Sequence, residues 1–320
     1  MIDQGVARRD GSPEIIIACT IDNNYIRHCA VMLKSLQLSN PTESISIYIL
    51  HDVIDASERA RLAAYLGGFL PSVSFIQLDE EMFSGFPVFG HITLATYFRL
   101  LLPAALPHAV EKVLYLDSDL IVVDSLRALL ESDLGENSIG AVEEHNQEFD
   151  RNRLGLAEGS LVFNAGAMLI DLGRWRRENI LATGLEFART HPERIKHWDQ
   201  DVLNSLLETR WLPFDWRFNA LPHLWMHPEY SDVSTPLGQQ AELARANPAV
   251  IHFAGSGVAK PWHHRCTHPW RQRYLEIRQQ TPWANLPLEE APSTSLADRL
   301  GSLRFRLKSA GKRMLGRPRP

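Results

Sequence analysis

Two aspartates, one residue apart, follow a short apolar run near the middle of the chain. Asp117 and Asp119 flank Ser118 within the stretch from Lys112 to Asp124. On an extended strand, side chains alternate, so both carboxylates would point the same way. Two like charges repel unless a cation lies between them, and Mg²⁺ or Mn²⁺ with oxygen ligands is the natural partner. The motif predicts a metal site that also holds a phosphate, with solvated aspartates of no function as the alternative.

The aspartate pair needs a sheet behind it, because open α/β sheets bind ligands at the carboxyl ends of their strands. Short β-branched runs alternate with segments of helical periodicity, which predicts a parallel sheet with helices on both faces. We predict strands over residues 14–22, 44–50, 72–78, 138–144 and 250–255, and one ending at the aspartate pair. We predict helices over residues 25–38, 57–66, 91–102, 126–130, 175–190 and 200–208.

Three segments call for more specific expectations. Ser57 is expected to cap its helix, and the helix over 91–102 is expected to end before Pro103. Arg99 has apolar neighbours there, which predicts a paired and partly buried arginine. Residues 161–171 are apolar, but we expect more than a simple strand because Gly166 allows close backbone approach. Residues 211–236 are rich in Pro, Trp and His and are interpreted as a loop.

Composition excludes several classes of protein. The chain has 320 residues, of which 45% are hydrophobic, enough for one large domain or two small ones. Its three cysteines include no Cys-x-x-Cys pair, which argues against a disulfide framework and against zinc bound by cysteine. The first helix lacks a Gly-x-Gly-x-x-Gly or Walker sequence, so dinucleotide and P-loop chemistry are disfavoured. We expect neither a secretory signal nor a membrane span.

Charge is distributed unevenly along the chain. Residues 296–320 hold eight Lys or Arg and one Asp, or +7, so the rest of a chain of net charge −5 carries −12. Leucines, Phe305 and Met314 lie among these basic residues, as in an interfacial helix that binds anionic lipid. A solubilising tail, or one that binds nucleic acid nonspecifically, is the alternative, and we expect no nucleic-acid partner. We predict an extension over 1–13, a catalytic domain over 14–286, and a linker with a basic amphipathic tail over 287–320.

Six blocks in the same order carry a resemblance to a known family. They are Ala18–Tyr25, Thr96–Leu100, Val113–Asp119, Phe163–Gly166, Asp199–Asp201, and His252–Gly255 together with Lys260–His263. Together they resemble glycosyltransferase family 8, and most closely the bacterial lipooligosaccharide galactosyltransferases and glucosyltransferases. The resemblance implies an α/β GT-A fold, with a mixed, mostly parallel sheet flanked by helices. It implies a UDP-galactose or UDP-glucose donor, Mn²⁺ in preference to Mg²⁺, and transfer with retention.

The resemblance also assigns site residues. The implied metal ligands are Asp117, Asp119 and His252. The implied donor-binding residues are Asp22, Asn24, Arg99, Asp117, Ser118, Asn164, Asp199, Gly255 and Lys260. Asp199 and Gln200 are the implied catalytic residues near the anomeric carbon. Because glutamine is a poor nucleophile, we favour a mechanism in which the departing phosphate helps deprotonate the acceptor on the same face.

Two departures from the family pattern leave questions for the structure. The loop from His252 to Lys260 is longer than in close relatives, which bears on where the lysine lies. Glu143 and Glu144 stand where the family often has Asp, and either could reach the sugar or acceptor. The alternatives weighed are a haloacid-dehalogenase-like phosphatase and a non-catalytic nucleotide-sugar-binding protein. The resemblance favours a lipid-linked saccharide acceptor and an enzyme peripheral on the cytoplasmic face of the bacterial inner membrane.

Overall fold

A mixed β-sheet forms the centre of the molecule. The computed structural model describes residues 15–78, 94–145 and 147–290. The strands in these ranges are β1 Ile15–Ile21, β2 Ile45–His51, β3 Ser72–Gln77, β4 Lys112–Leu116, β5 Leu120–Val122, β6 Ile139–Glu143, β7 Phe163–Asp171, β8 Trp211–Pro213 and β9 Val250–His252. Seven of them form one sheet in the order β3-β2-β1-β4-β7-β6-β8, in which β7 is antiparallel to both neighbours. The mixed, mostly parallel sheet is therefore confirmed.

Helices cover this sheet on both faces. The α-helices of the described ranges are α1 Ile26–Ser39, α2 Ala56–Leu66, α3 Leu102–Ala105, α4 Arg127–Leu130, α5 Gln147–Leu154, α6 Leu172–Arg177, α7 Ile180–Thr190, α8 Trp198–Leu206, α9 His223–Met226, α10 Pro236–Ala246 and α11 Arg271–Arg278. Short 3₁₀ helices span Leu94–Leu101, Pro192–Arg194, Trp216–Asn219, Pro228–Ser231 and Gly257–Ala259. Within the described part of the chain, no helix is both long and apolar enough to cross a bilayer.

Alternation along β1 explains why the sheet has a core on each face. Ile17 and Cys19 point to one side, where they pack with Leu33 of α1 and Leu62 of α2. Ala18 points to the other side, into a cluster that holds residues of the Leu94–Leu101 turn and of α6 and α8. The apolar positions predicted for the first helix, at 26, 29, 30, 33 and 36, are all buried in α1. Period-2 and period-3.6 patterns thus placed these layers correctly.

Two predicted helix boundaries were wrong. Asp55, rather than Ser57, caps α2, because the Asp55 carboxylate accepts the backbone N–H groups of Ser57 and Glu58 at 2.9 and 3.0 Å. The helical segment expected to end before Pro103 continues through it as α3. Proline is tolerated in the first turn of a helix, where its missing N–H would have no intrahelical partner. Residues 91–93 of that prediction lie outside the described residues.

Two longer segments are each interrupted. Residues Phe163–Asp171 form one strand with partners on both sides, but its pairing with β6 is irregular: Ala141 pairs with Met168 and Val142 with Asn164, so residues 165–167 are skipped. The expectation of more than a simple strand around Gly166 is therefore confirmed. The helix expected over 175–190 is two helices, α6 and α7, because Asn179 adopts a left-handed conformation with φ 52° between them.

Candidate active site

The two aspartates lie in a turn between β4 and β5, not on a continuous strand. The expectation of an extended backbone there was wrong, yet the carboxylates still converge. The Asp117 N–H donates to the Gly166 carbonyl on β7 at 2.8 Å, and the Asp119 carbonyl accepts the Phe253 N–H at 3.0 Å. These bonds hold the turn between two strands from distant parts of the chain. As a result, ligand atoms of Asp117, Asp119 and His252 all lie within 4.8 Å of one another.

His252 is held in the orientation that a metal ligand needs. Its Nε2 lies 3.2 Å from an Asp119 oxygen, while its Nδ1 lies 3.0 Å from the Asn219 side-chain oxygen. Because that oxygen can only accept, Nδ1–H donates to it, which leaves Nε2 as the ring atom that a metal would contact. Gly166 makes room for the ring, since a Cβ there would lie 2.2 Å from the His252 Cε1 atom. Two carboxylates and one neutral imidazole so arranged fit a divalent cation.

Arg99 is a buried, paired arginine, as its apolar neighbours predicted. Its guanidinium contacts Asp117 at 3.1 Å, forms an ion pair with Asp199 and donates to the Ala165 carbonyl. The guanidinium carbon also lies 4.6 Å from the centre of the Tyr115 ring. Arg99 therefore holds Asp117 in place. Its own position is fixed by Asp199, the Ala165 carbonyl and the Tyr115 ring.

Lys260 reaches the same centre despite the longer loop that precedes it. The 3₁₀ turn Gly257–Ala259 takes up the additional length, and Gly255, with φ 102°, makes the bend after the strand. The Lys260 ammonium forms an ion pair with Asp119 and donates to the Phe253 carbonyl at 3.0 Å. The side chain is buried, so this ammonium is a fixed positive charge beside the aspartate turn.

The titration behaviour of the carboxylates follows from this charge pattern. Burial acts to raise the pKa of Asp119, but Lys260 and His252 outweigh it and lower that pKa. Burial raises the pKa of Asp117, against the opposing effect of Arg99, and raises the pKa of Asp199 to about 7. Three carboxylates thus lie close to one another, beside the guanidinium of Arg99 and the ammonium of Lys260. A divalent cation bound among them would favour their ionised forms.

Gln200, Asn164 and Glu144 form a polar group beside the aspartate turn. The Gln200 amide oxygen accepts the Ala165 N–H at 3.0 Å, and its amide nitrogen donates to Glu144 at 3.3 Å. The Asn164 amide donates to the same Glu144 oxygen at 2.8 Å. Of the two neighbouring glutamates, Glu144 is therefore the one that contacts this group. Glu143 makes no such contact, and burial raises its pKa.

The remaining predicted donor-binding residues lie around the same strand ends. An Asp22 oxygen accepts the N–H groups of Asn24 and Tyr25, at 2.8 and 3.0 Å, which closes the turn before α1. Asn24 is exposed there, whereas Ser118 is buried and donates to the Thr20 carbonyl at 3.2 Å. The structure thus brings together the predicted residues on either side of the aspartate turn, and their donor-binding roles stay predictions.

Sequence reasoning missed two residues that organise the centre. Asn219 contacts His252 and also donates to the Asn164 side chain at 2.9 Å. It lies in the segment interpreted as a loop, where only its position between Phe218 and Ala220 marked it as a polar residue among apolar ones. Tyr115 donates to Asp117 at 2.8 Å. A tyrosine in an otherwise aliphatic strand was a usable signal, because a buried hydroxyl needs a partner.

Fold and site together define a GT-A glycosyltransferase: a mixed α/β sheet with an Asp-x-Asp turn and a facing histidine at the ends of its strands. Glycosyl transferase family 8 matches residues 16–266, and the chain belongs to that family. It is an enzyme of the hexosyltransferase class, so the phosphatase and non-catalytic alternatives are wrong.

Two relatives and one crystal structure match this chain over most of their length. General stress protein A of Bacillus subtilis is 30% identical over 274 residues, which cover 84% of this chain and 94% of that protein. Lipopolysaccharide 1,3-galactosyltransferase of Salmonella typhimurium is 29% identical over 296 residues, covering 90% and 84%. A crystal structure of the galactosyltransferase LgtC with donor and acceptor sugar analogs superposes with a TM-score of 0.73 at 32% identity, covering 84% of this chain and 96% of that one.

Proposed function

We propose that this enzyme transfers galactose or glucose from a UDP-sugar to a saccharide acceptor, with a divalent metal and with retention at the anomeric carbon. The observation that carries the proposal is the convergence of Asp117, Asp119 and His252 within 4.8 Å, with Lys260 beside them. A bound divalent cation would supply positive charge to the diphosphate of the donor as the sugar leaves. Mixed oxygen and nitrogen ligation favours Mn²⁺ over Mg²⁺.

The fixed charges of the chain have separate tasks in this proposal. Lys260 stabilises the negative charge that develops on the departing diphosphate, without a proton transfer. Arg99 holds Asp117 in place, and Asp199, which is 2% exposed, holds Arg99 from the other side. Burial of Asp199 supports a positioning role for this carboxylate. Because these side chains are already held in place, the site can stabilise the leaving group without reorganising during the reaction.

Retention is supported by the group that would face the sugar. Gln200 offers an amide whose oxygen already accepts the Ala165 N–H, so it is a poor candidate for a nucleophile. Glu144 accepts from both Gln200 and Asn164, which makes it the partner that orients them toward the donor hexose. A same-face reaction, in which a phosphate oxygen of the leaving group takes the acceptor proton, needs no further base from the chain.

The nature of the acceptor is proposed from relatives and from the tail. The Salmonella relative is named as a lipopolysaccharide galactosyltransferase, and this supports a lipid-linked saccharide acceptor. The basic segment over 296–320 would hold the enzyme at the anionic cytoplasmic face of the inner membrane, at roughly 1 kcal/mol per basic residue near the surface. That segment lies outside the described residues.

A donor screen tests the chemistry before the acceptor is known. Hydrolysis of UDP-galactose and UDP-glucose without acceptor is measured with chelator, with Mg²⁺ and with Mn²⁺. We expect turnover that disappears with chelator and returns better with Mn²⁺. Asp119→Asn should lose turnover by orders of magnitude while circular dichroism still shows a folded protein, although its stability should fall because Lys260 loses a buried partner. Undiminished turnover in excess chelator would contradict the proposal.

Two further measurements test its finer parts. Proton NMR of the product should show the α configuration of the donor, and a β linkage would overturn retention. A protein that ends near Pro292 should keep its turnover of soluble acceptors but no longer sediment with vesicles of anionic lipid. Equal cosedimentation of the full and shortened proteins at physiological salt would rule out the role of the tail.

A further inference from the structure

A second group of metal-ligating side chains lies outside the aspartate turn. His145 follows the end of β6, and His227 and Glu229 flank Pro228 at the start of a 3₁₀ turn. One ligand atom from each lies within 4.8 Å of the others, and His145 Nε2 is 3.7 Å from a Glu229 oxygen. Two imidazoles and a carboxylate are ligands of zinc and related transition metals, not of Mg²⁺. The mechanism proposed above uses none of the three.

The histidine at this position is oriented as a ligand would be. His145 Nδ1 lies 2.8 Å from the Tyr230 hydroxyl. When Nδ1–H donates to that hydroxyl, Nε2 keeps its lone pair and faces His227 and Glu229, which is the arrangement found around metal-bound histidines. The ring is also held on its face, stacked against His223 with 4.8 Å between ring centroids. The position of the His145 ring is therefore fixed before any metal binds.

The backbone that presents the other two ligands is fixed as well. Arg245 of α10 donates to the carbonyls of Leu224 and Tyr230, at 2.7 Å each. These two carbonyls lie on either side of His227 and Glu229. Pro228 between them restricts the backbone further, because its φ is locked by the ring. Closing the group around a cation would thus require small side-chain movements and no refolding of the segment.

We propose that His145, His227 and Glu229 form a second metal site, which takes Zn²⁺ or a similar transition metal and leaves one position for water. Such a cation would fasten the turn over 227–231 to the end of β6. The residue before His145 is Glu144, which contacts Gln200 and Asn164. Occupancy would therefore stiffen the rim of the cleft next to the polar group of the first site. The site is structural: it shapes the rim and takes no part in the transfer.

The test must separate this site from the aspartate turn, where the proposed function also requires a divalent metal. The full-length Asp119→Asn protein serves as the background, because it removes a ligand from the first site only. We measure Zn²⁺ affinity by competition with a chromogenic chelator, and expect one equivalent bound. Adding His227→Gln or Glu229→Gln should weaken this binding by at least the roughly 10–100-fold that is typical of losing an outer-shell partner. Both side chains are exposed, so either protein should fold.

A matched control and a second readout make the result decisive. His108→Gln removes another exposed histidine far along the chain and should leave Zn²⁺ affinity unchanged. In the otherwise native protein, His227→Gln should keep its Mn²⁺-supported turnover, and in the Asp119→Asn background it should lose the rise in melting temperature that Zn²⁺ causes. Equal Zn²⁺ affinities in the Asp119→Asn protein with and without His227→Gln would overturn the proposal.

Discussion

Asn219 governs the chemistry of the active site although it is no metal ligand. Its side-chain oxygen accepts a hydrogen bond from Nδ1–H of His252, and its side-chain nitrogen donates to the Asn164 side-chain oxygen. The same amide therefore connects the metal-ligand candidates to the polar group around Gln200. Asn219 is 1% exposed, so removing its side chain would leave the buried polar atoms of His252 and Asn164 without this partner.

The Asn219→Ala protein should bind its divalent metal more weakly. Without the acceptor at Nδ1, the His252 ring loses its fixed tautomer and orientation, and the expected loss of metal affinity is roughly 10–100-fold. Metal dependence of donor hydrolysis gives the measurement, with circular dichroism as the check on folding. Asn152→Ala, at an exposed position of α5, is the matched control. An unchanged metal dependence would mean that the His252 ring is held by packing alone.

His268 should make the protein less stable in acid. Its ring packs edge-on against Trp225 and Phe253, and Nδ1 accepts the Trp270 N–H at 3.2 Å. Burial lowers the pKa of His268 to about 4, so between that value and its unfolded pKa near 6.5 the unfolded state binds the extra proton. The free energy of unfolding should therefore fall as pH drops through this window, by about 3 kcal/mol at most.

Denaturant titrations from pH 7 to pH 4 measure this dependence. His268→Phe should flatten the decline, because the variant has no group to titrate at that position. His108→Gln, at an exposed site, should keep the slope of the parent protein. Parallel slopes for all three proteins would show that other groups cause the acid sensitivity.

At the residue scale, sequence reasoning found part of the site. Asp117 and Asp119 were predicted from their spacing after an apolar run, and Lys260 was predicted from the family resemblance. Asn219 and Tyr115 were not, since their contacts depend on which strands become neighbours. The choice between Glu143 and Glu144 could not be made for the same reason: it depends on the pairing of β6 with β7, which skips residues 165–167 just before Val142 meets Asn164.

The first turn of α8 places Gln200, and its position rests on a buried ion pair. Arg153 donates to both oxygens of Asp201, at 2.7 and 2.8 Å, and to Asp150 at 2.8 Å. Asp201 in turn accepts the N–H groups of Lys196 and His197, just before the helix. One arginine from α5 thus pairs with two buried carboxylates and holds the start of another helix.

Arg153→Met should destabilise the protein by about 3–5 kcal/mol, the range measured when one partner of a buried ion pair is removed. Asp150 and Asp201 would be left without their cation. Turnover at a temperature where the variant is still folded should also fall, since the start of α8 is no longer fixed. Arg189→Met removes an exposed pair with Glu186 and should cost less than about 1 kcal/mol. Similar losses in the two variants would contradict this account.

At the element scale, periodicity was sufficient for α1 and for the first three strands. It failed where tertiary contacts decide the outcome. β7 holds small residues because the His252 ring packs against Gly166, and no local pattern reveals a ring that comes from elsewhere in the chain. α8 starts at Trp198, two residues earlier than predicted. This start depends on Asp201, whose carboxylate accepts the His197 N–H just before the helix.

Residues near the C-terminal end of the described chain pack against the first two helices. Trp283 is buried, donates from its indole nitrogen to Glu58 at 2.6 Å, and lies under the Arg61 guanidinium at 4.9 Å. Both partners belong to α2. Glu289 extends the contact through a pairing with Arg27 of α1 at 2.6 Å. Residues up to at least Glu289 therefore pack on the first helices of the fold, although the predicted linker begins at residue 287.

Trp283→Ala should lower the free energy of unfolding by about 3–5 kcal/mol, as expected for loss of a buried tryptophan. The loss should appear in the single transition of the whole protein if the C-terminal segment and α2 unfold together. Leu286→Ala, at a side chain 40% exposed, should change stability by only about 0.5 kcal/mol. A near-neutral Trp283→Ala would indicate that the segment detaches without disturbing the core.

The pairing of β5 with β9 also sets when the enzyme can become active during its synthesis. Asp117 and Asp119 leave the ribosome well before His252 and Lys260, and Leu120 cannot find its partner His252 until then. At ordinary elongation rates this interval is roughly 10 s. A nascent chain thus carries an incomplete site, unable to hold donor or metal in the final geometry, until the last strand has been made.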